Sequence, residues 1–442
     1  MLRTLLAVLL GSLPAWGLQA PPRVVSLEPA LDSEVDAHEQ TRLVVEFDRP
    51  MSTAGYSLCG GGASFPKLAG QPRWESATRL VVDVQLAPEI EYVIGLNCGS
   101  SRNLRSAEGI ALEPLQWTFA AQPGVLRAEA EQRQRNAAAL ALLVDALGTH
   151  YSYRDLRVKD WVTLRREHEP AILAARTDRA FAQEIARFLE PAADPHLWLV
   201  RGERTIPTFR RNVDPLFRRA HIDAAFRIEQ AGPRAIRGLS ADGIGYLLVD
   251  TWANGLDLAP IHAALERLHD AKALVIDART NSGGNEELAR EVAAWFVEGE
   301  VTYARHRVRT GPGAEGFAPA VERRLRGNAA PRRIDVPLAV LTGPLAMSSN
   351  ESFVLMLRQA RDCTLVGQPT AGSSGNPQPF ELGNGVVARI PSWQFLGPDG
   401  RLLEGSGVAP DVLVPCTPED LKRGDPILAK ALELLRAKLA SR

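Results

Sequence analysis

An excess of either charge is what this chain of 442 residues most plainly lacks: 51 Lys and Arg against 52 Asp and Glu leave a net charge of -1. A nucleic-acid binder needs a basic footprint, so that class is set aside. Clustered metal ligands are missing too. The chain has no CxxC, no HExxH and no grouped His/Cys spacing, which leaves the usual zinc patterns without support and implies no metal or cofactor. It has no G-x-S-x-G elbow either, which argues against an α/β-hydrolase. Internal repeats and low-complexity tracts are absent.

Long apolar runs are also scarce. Met1, Leu2 and Arg3 are followed by LLAVLLGSL and then by small residues around AWG. The run is about half of the ~20 apolar residues that a spanning helix needs, and a charged start with a short apolar stretch reads as a cleaved secretory signal over residues 1–20. Candidate cuts follow Gly17 or Ala20, and no cysteine stands near them, which argues against a lipid anchor. The expectation is an exported protein, periplasmic or secreted, with no integral membrane segment once the signal is removed. The four cysteines, Cys59, Cys98, Cys363 and Cys416, suit an oxidising compartment. Their connectivity cannot be read from spacing, but pairing Cys59 with Cys98 and Cys363 with Cys416 would keep each bridge inside one proposed domain.

An apolar share of 45% supports ordinary globular cores, and the length allows two or three domains. Over residues 21–122 the runs VVSLEP, RLVVEF, RLVVDV, EYVIGL and LQWTF alternate with turn residues, the spacing of a β-sandwich. Over 123–200 the period becomes helical, as in RAEAEQRQRNAAALALLVDALG, which predicts a helical cap subdomain. From 201 to 442 strands and helices alternate: GIGYLLVD, LAPIHAALERLHD, ALVIDAR, NEELAREVAAWFV, VPLAVL, SSNESFVLMLRQARD and CTLVG. That order predicts an α/β domain with parallel strands. The closing PEDLKRGDPILAKALELLRAKLA reads as an amphipathic helix.

Three stretches could carry chemistry. In DARTNSGG, residues 277–284, a glycine pair sits where a buried-type strand gives way to a helix. It is either a plain strand-to-helix turn or a source of oxyanion-binding N–H groups. In LTGPLAMSSNESF, residues 341–353, Ser348 and Glu351 form an S-x-x-E capping box, which explains both without catalysis. A serine at a helix start is nonetheless well placed for attack, since the next N–H can stabilise an oxyanion, provided that a base is nearby. Of the eight histidines, His196 in DPHLWL stands in a turn between the helical region and a strand. A base aimed into a cleft and a satisfied structural histidine both fit.

Taken in order, DPHLWL, GIGYLLV, ALVIDARTNSGG, LAVLTGPLAMSSNESF, CTLVGQPTAGSSGN and LLEGSGVAPDVLV resemble the tail-specific, or C-terminal-processing, serine peptidases. The resemblance implies a crotonase/ClpP-like α/β core that hydrolyses peptide bonds of peptide or protein substrates through an acyl-enzyme. It maps the nucleophile onto Ser348 and the oxyanion hole onto Gly283, Gly284 and the N–H of Ser349. Members with a Ser-Lys dyad carry lysine where this chain has Ser373, and no lysine occurs between Ser348 and Ser373. The chain therefore resembles the tricorn-core-like and retinoid-binding-protein-like branch, whose histidine base maps onto His196 and whose glutamate maps onto Glu404. Pro195 stands where that branch has an orienting serine. Ser373 and Asn281 are supporting candidates.

The stretch 201–242 is too short for the PDZ domain of many relatives, and residues 21–122 resemble a bacterial Ig-like domain. The alternatives are a non-catalytic ligand- or protein-binding member of the same scaffold and an esterase-like hydrolase.

Overall fold

The computed structural model describes residues 21–99, 101–122, 127–202, 204–313, 315–329 and 332–441. The expected signal at 1–20 lies outside them. The chain divides into two compact units at Ala128/Glu129.

In the N-terminal unit, two sheets share one core. One is built on Val24–Glu28, Arg42–Phe47 and Arg79–Gln85, and the other on Glu34–Val35, Leu115–Ala121, Glu91–Leu96 and Leu58–Cys59. Alternate residues such as Leu43, Val45 and Phe47 face Tyr92, Ile94 and Trp117 across that core, as the period-2 pattern of each strand requires. Trp117 Nε1 donates to the Pro29 carbonyl at 3.0 Å, so the buried indole keeps a partner. Leu58 pairs with Leu96, and this register brings Cys59 to Cys98, which form a disulfide.

The second unit is centred on a seven-stranded sheet in the order Arg227–Gln230, Ala235–Leu239, Ile244–Val249, Ala273–Asp277, Leu338–Thr342, Cys363–Gly367 and Val412–Leu413. From Ile244 onward neighbouring strands are parallel, while the first two pairings are antiparallel. Every residue of Ala273–Asp277 is buried, because helices cover both faces. Leu274 and Ile276 join the core that holds helices Ala259–Leu268, Glu286–Ala293 and Ser349–Leu357. Ala273 and Val275 join the core under Pro426–Ala440.

These two faces correct one expectation. Cys363 and Cys416 are free, because Cys363 packs on the first face and Cys416 belongs to the core of the second. The sheet separates them. The C-terminal helix is also shorter than its pattern suggested: a single 3-10 turn, Asp420–Lys422, precedes it. Asp425 caps it by accepting from the Leu428 N–H, and Pro426 stands in the first turn, where a missing N–H costs nothing.

The helices Glu129–His150, Trp161–Ala174 and Asp178–Leu189 share a core with a four-stranded sheet. That sheet runs Arg204–Pro207, Trp198–Arg201, Val386–Pro391, Pro377–Glu381. Leu143, Phe181 and Phe188 pack with Leu199, Ala388 and Ile390. The hairpin that completes this core follows the loop 368–376 directly. Pairing of Val386–Pro391 with Trp198–Arg201 therefore delivers that loop to the turn containing His196.

Candidate active site

Strand Ala273–Asp277 ends in a turn held by buried charge. Arg279 lies at 0% exposure; its Nη2 donates to Asp277 Oδ2 at 2.7 Å and its Nη1 to Asp425 Oδ2 at 2.8 Å. Burial works against its charge, but Asp277 and Asp425 outweigh this and hold the guanidinium above its ordinary value. Asn281 Nδ2 donates to the Val249 carbonyl at 3.1 Å, and its Oδ1 accepts from the Gly283 N–H at 2.8 Å. Asn350, the second residue of the serine's helix, donates to the carbonyls of Ala278 and Asn281, both at 2.9 Å. The glycine turn and the start of that helix are thus tied together.

Only glycine fits this turn. Gly283 has φ 106, and a Cβ there would come within 2.8 Å of the Met347 carbonyl and 2.9 Å of Ser348 Cβ. Gly284 has φ 139, and its Cβ would meet the Trp252 carbonyl at 2.2 Å. A Cβ added at Gly283 would also lie 3.2 Å from Ser349 N, so Gly283 lies directly against the serine. Gly283 N–H is engaged by Asn281. The N–H groups of Gly284 and Ser349 carry no hydrogen bond among the described residues.

Ser348 itself is held at φ 60, ψ -130, outside the ordinary wells for an L-residue, at a cost of order 1–3 kcal/mol. The surroundings enforce it. Its N–H donates to the Ser373 carbonyl at 3.0 Å and to Glu351 Oε2 at 3.2 Å. Glu351 is more than a helix cap: its buried carboxylate also accepts from the N–H of Gly372 at 2.8 Å, the N–H of Ser373 at 3.0 Å and the Thr370 hydroxyl. Burial pushes its carboxyl up, and these four bonds oppose the shift.

His196 is 7% exposed, and its Nδ1 is 2.9 Å from Ser373 Oγ. No hydrogen bond joins its ring to Ser348 among the described residues. Catalytic pairs are often long in unliganded enzymes and tighten on binding. Burial lowers the imidazole pKa, with Asp194 opposing and Arg157 reinforcing the shift. This shift favours the neutral ring that a base must have.

The structure brings Ser348, Gly283, Gly284, Ser349 and Ser373 into one cluster, with His196 bonded to Ser373. Glu404 adjoins it without touching the imidazole. One of its oxygens accepts from Arg157 and the other from the Ser374 N–H at 3.2 Å. Burial first, and then the charge of Asp194, push its carboxyl up to about 8 against the pull of Arg157.

Sequence reasoning missed Asp194, Arg157 and Tyr151 as site residues. Asp194 Oδ1 accepts from the His196 N–H at 2.9 Å, and its Oδ2 accepts from the Tyr151 hydroxyl at 2.8 Å. Asp194 sits in the DPH motif that singled out His196 and could have been found there. Arg157 and Tyr151 belong to no local pattern that marks them.

An α/β layer in which a strained serine opens a helix beneath a glycine turn, with a buried histidine and a serine partner alongside, has the layout of a serine-type hydrolase. Residues 243–414 match the model of Peptidase family S41. His196 lies outside the matched span. The carboxy-terminal processing protease CtpB of Bacillus subtilis (strain 168) is 23% identical over 186 residues, which is 42% of this chain and 36% of that protein. The match thus spans about a third of that relative's length.

Among solved structures, a candidate peptidase from Parabacteroides merdae superposes with a TM-score of 0.61 at 23% identity, covering 70% of this chain and 99% of that one. Mature CPAF in complex with lactacystin gives 0.51 at 12% identity, covering 70% and 99%. Both share the multidomain α/β fold. Among the described residues no helix is long and apolar enough to cross a membrane.

Proposed function

We propose that this protein is an exported serine peptidase that cleaves peptide bonds through an acyl-enzyme. Ser348 Oγ attacks the carbonyl, and its proton passes to His196 Nε2 and then to the leaving amine. The N–H groups of Gly284 and Ser349 hold the oxyanion, with Gly283 sharing the donor it gives to Asn281. Glu404 supports the site at one remove, by accepting from the Ser374 N–H. The observation that carries the reading is the backbone of Ser348, strained against Gly283 and bonded to the loop whose Ser373 holds His196.

The finer domain reading belongs here too. The N-terminal unit, with two sheets around one core, supports an Ig-like sandwich over 21–122. The buried parallel sheet with helices on both faces supports a crotonase/ClpP-like core over 201–442, with the helices of 123–200 as its cap. The Cys59–Cys98 bridge supports export to the periplasm or beyond, where disulfides persist.

A fluorophosphonate probe tests the mechanism. Ser348 should be modified in the wild-type protein and unmodified in Ser348→Ala, and His196→Ala should label about 100-fold more slowly or worse. A folded wild-type protein that takes no label at Ser348 sinks the enzyme reading in favour of a binding member of the scaffold.

A further inference from the structure

We propose that Ser373 is the positioning residue that orients His196 and fixes its tautomer, and that Glu404 acts by holding the loop that presents Ser373. This deepens the reading of Ser348 and His196 given above and rests on it. A base needs one ring nitrogen free and the other tied to a fixed partner. In this chain the residue before the histidine is Pro195, whose side chain can neither donate nor accept. Ser373 Oγ, 2.9 Å from His196 Nδ1, fills that place from a position 177 residues along the chain.

Ser373 is buried, and its backbone leaves it little freedom. Three successive N–H groups are captured by two buried carboxylates: Gly372 and Ser373 by Glu351, at 2.8 and 3.0 Å, and Ser374 by Glu404, at 3.2 Å. The Ser373 carbonyl accepts from the Ser348 N–H at 3.0 Å. One residue therefore touches the base through its side chain and the nucleophile through its backbone. Glu404 reaches the Ser374 peptide and Arg157 and makes no bond to the imidazole. With Ser373 Oγ accepting from Nδ1–H, the lone pair sits on Nε2. In the first step Ser348 Oγ bonds to the carbonyl carbon, its proton moves to Nε2, and the Nδ1 proton stays on Nδ1.

Two measurements on the full chain test this. The first is the rate of Ser348 labelling by a fluorophosphonate across pH in wild type, Ser373→Ala and Ser373→Thr, with thermal melting to confirm folding. Ser373→Ala should slow labelling about 10- to 100-fold and move the acid limb to lower pH, because the imidazolium loses an acceptor at Nδ1. Ser373→Thr keeps a hydroxyl and should restore most of the rate and the limb. A purely structural role would leave the limb where it is. The second is the ¹⁵N shift pair of the His196 ring, assigned by loss in His196→Gln, which should show the proton on Nδ1.

A folded Ser373→Ala that labels at the wild-type rate with an unmoved limb overturns the proposal, as does a proton on Nε2. Wild-type protein unlabelled at every pH overturns the peptidase reading instead, while the ¹⁵N pair still reports on the bond to Ser373.

Discussion

Two arginines in the second unit, Arg279 buried and Arg157 half-buried, each stand among two carboxylates and a tyrosine, and they differ in how the charges are matched. Arg279 bonds both Asp277 and Asp425, and Tyr246 donates to Asp277 Oδ2 at 2.9 Å. All of these charges are sealed from solvent, with side-chain exposures of 0 and 1%. Among the described residues, Arg157 bonds Glu404 alone of the two carboxylates, spends a second nitrogen on the Ala193 carbonyl at 3.2 Å, and leaves its Nε without a partner. Asp194 turns instead to Tyr151 and to the His196 N–H. The first cluster is closed and staples a turn to a helix start. The second is under-matched, and the unbalanced carboxylate appears as the raised pKa of Glu404 beside the proposed base.

The contrast is sharpest when each cation is removed. Arg279→Met should cost about 3–5 kcal/mol, since two sealed carboxylates lose their common partner, and urea unfolding would measure it. Arg157→Met should cost less, about 1–3 kcal/mol, because Glu404 can take up a proton rather than remain a bare buried charge. Equal losses would dissolve the distinction.

Protonation offers a finer test. The folded-state pKa of Glu404, about 8, lies above the ordinary value of 4.5, so the folded protein holds a proton that the unfolded chain releases. Its contribution to stability is fully present below pH 4.5 and is lost as pH rises through about 8. Glu404→Gln should flatten that part of the stability profile in urea melts from pH 5 to 9. An unchanged slope would mean that another group causes it.

The smallest effects should come from the two tyrosines. Removing either hydroxyl leaves a carboxylate short of one donor, about 1–2 kcal/mol in each case. Tyr246→Phe should leave phosphonate labelling of Ser348 untouched. Tyr151→Phe should slow it, because Asp194 also fixes the His196 backbone. If both variants label alike, Tyr151 is structural only.

Much of the fold was legible because it is written in local periods. The alternation in RLVVEF and EYVIGL, the all-apolar ALVID and the helical NEELAREVA each reported their own burial, and the structure has strands and a helix there. The glycine pair of DARTNSGG and the serine at a helix start were likewise visible, since a strand-to-helix turn limits which residues can stand there. The C-terminal helix was read too long, because its pattern continued through a 3-10 turn that Gly424, Asp425 and Pro426 interrupt. The pairing of Cys363 with Cys416 failed because spacing says nothing about which side of a sheet a thiol faces.

By itself, then, the sequence determined the elements and the order of motifs, all properties of short segments, and offered Ser348, Gly283, Gly284 and His196 as candidates. Tertiary structure alone decided that Ser373 meets His196, that Glu351 and Glu404 divide the N–H groups of one loop, and that Arg157 is shared unevenly between two carboxylates. Each of these contacts joins residues between 21 and 247 positions apart. The meeting of Ser373 with His196 rests on the pairing of Val386–Pro391 with Trp198–Arg201 in one particular register. Such a register is set by the burial of two strands against a common core, and neither strand's local pattern contains it.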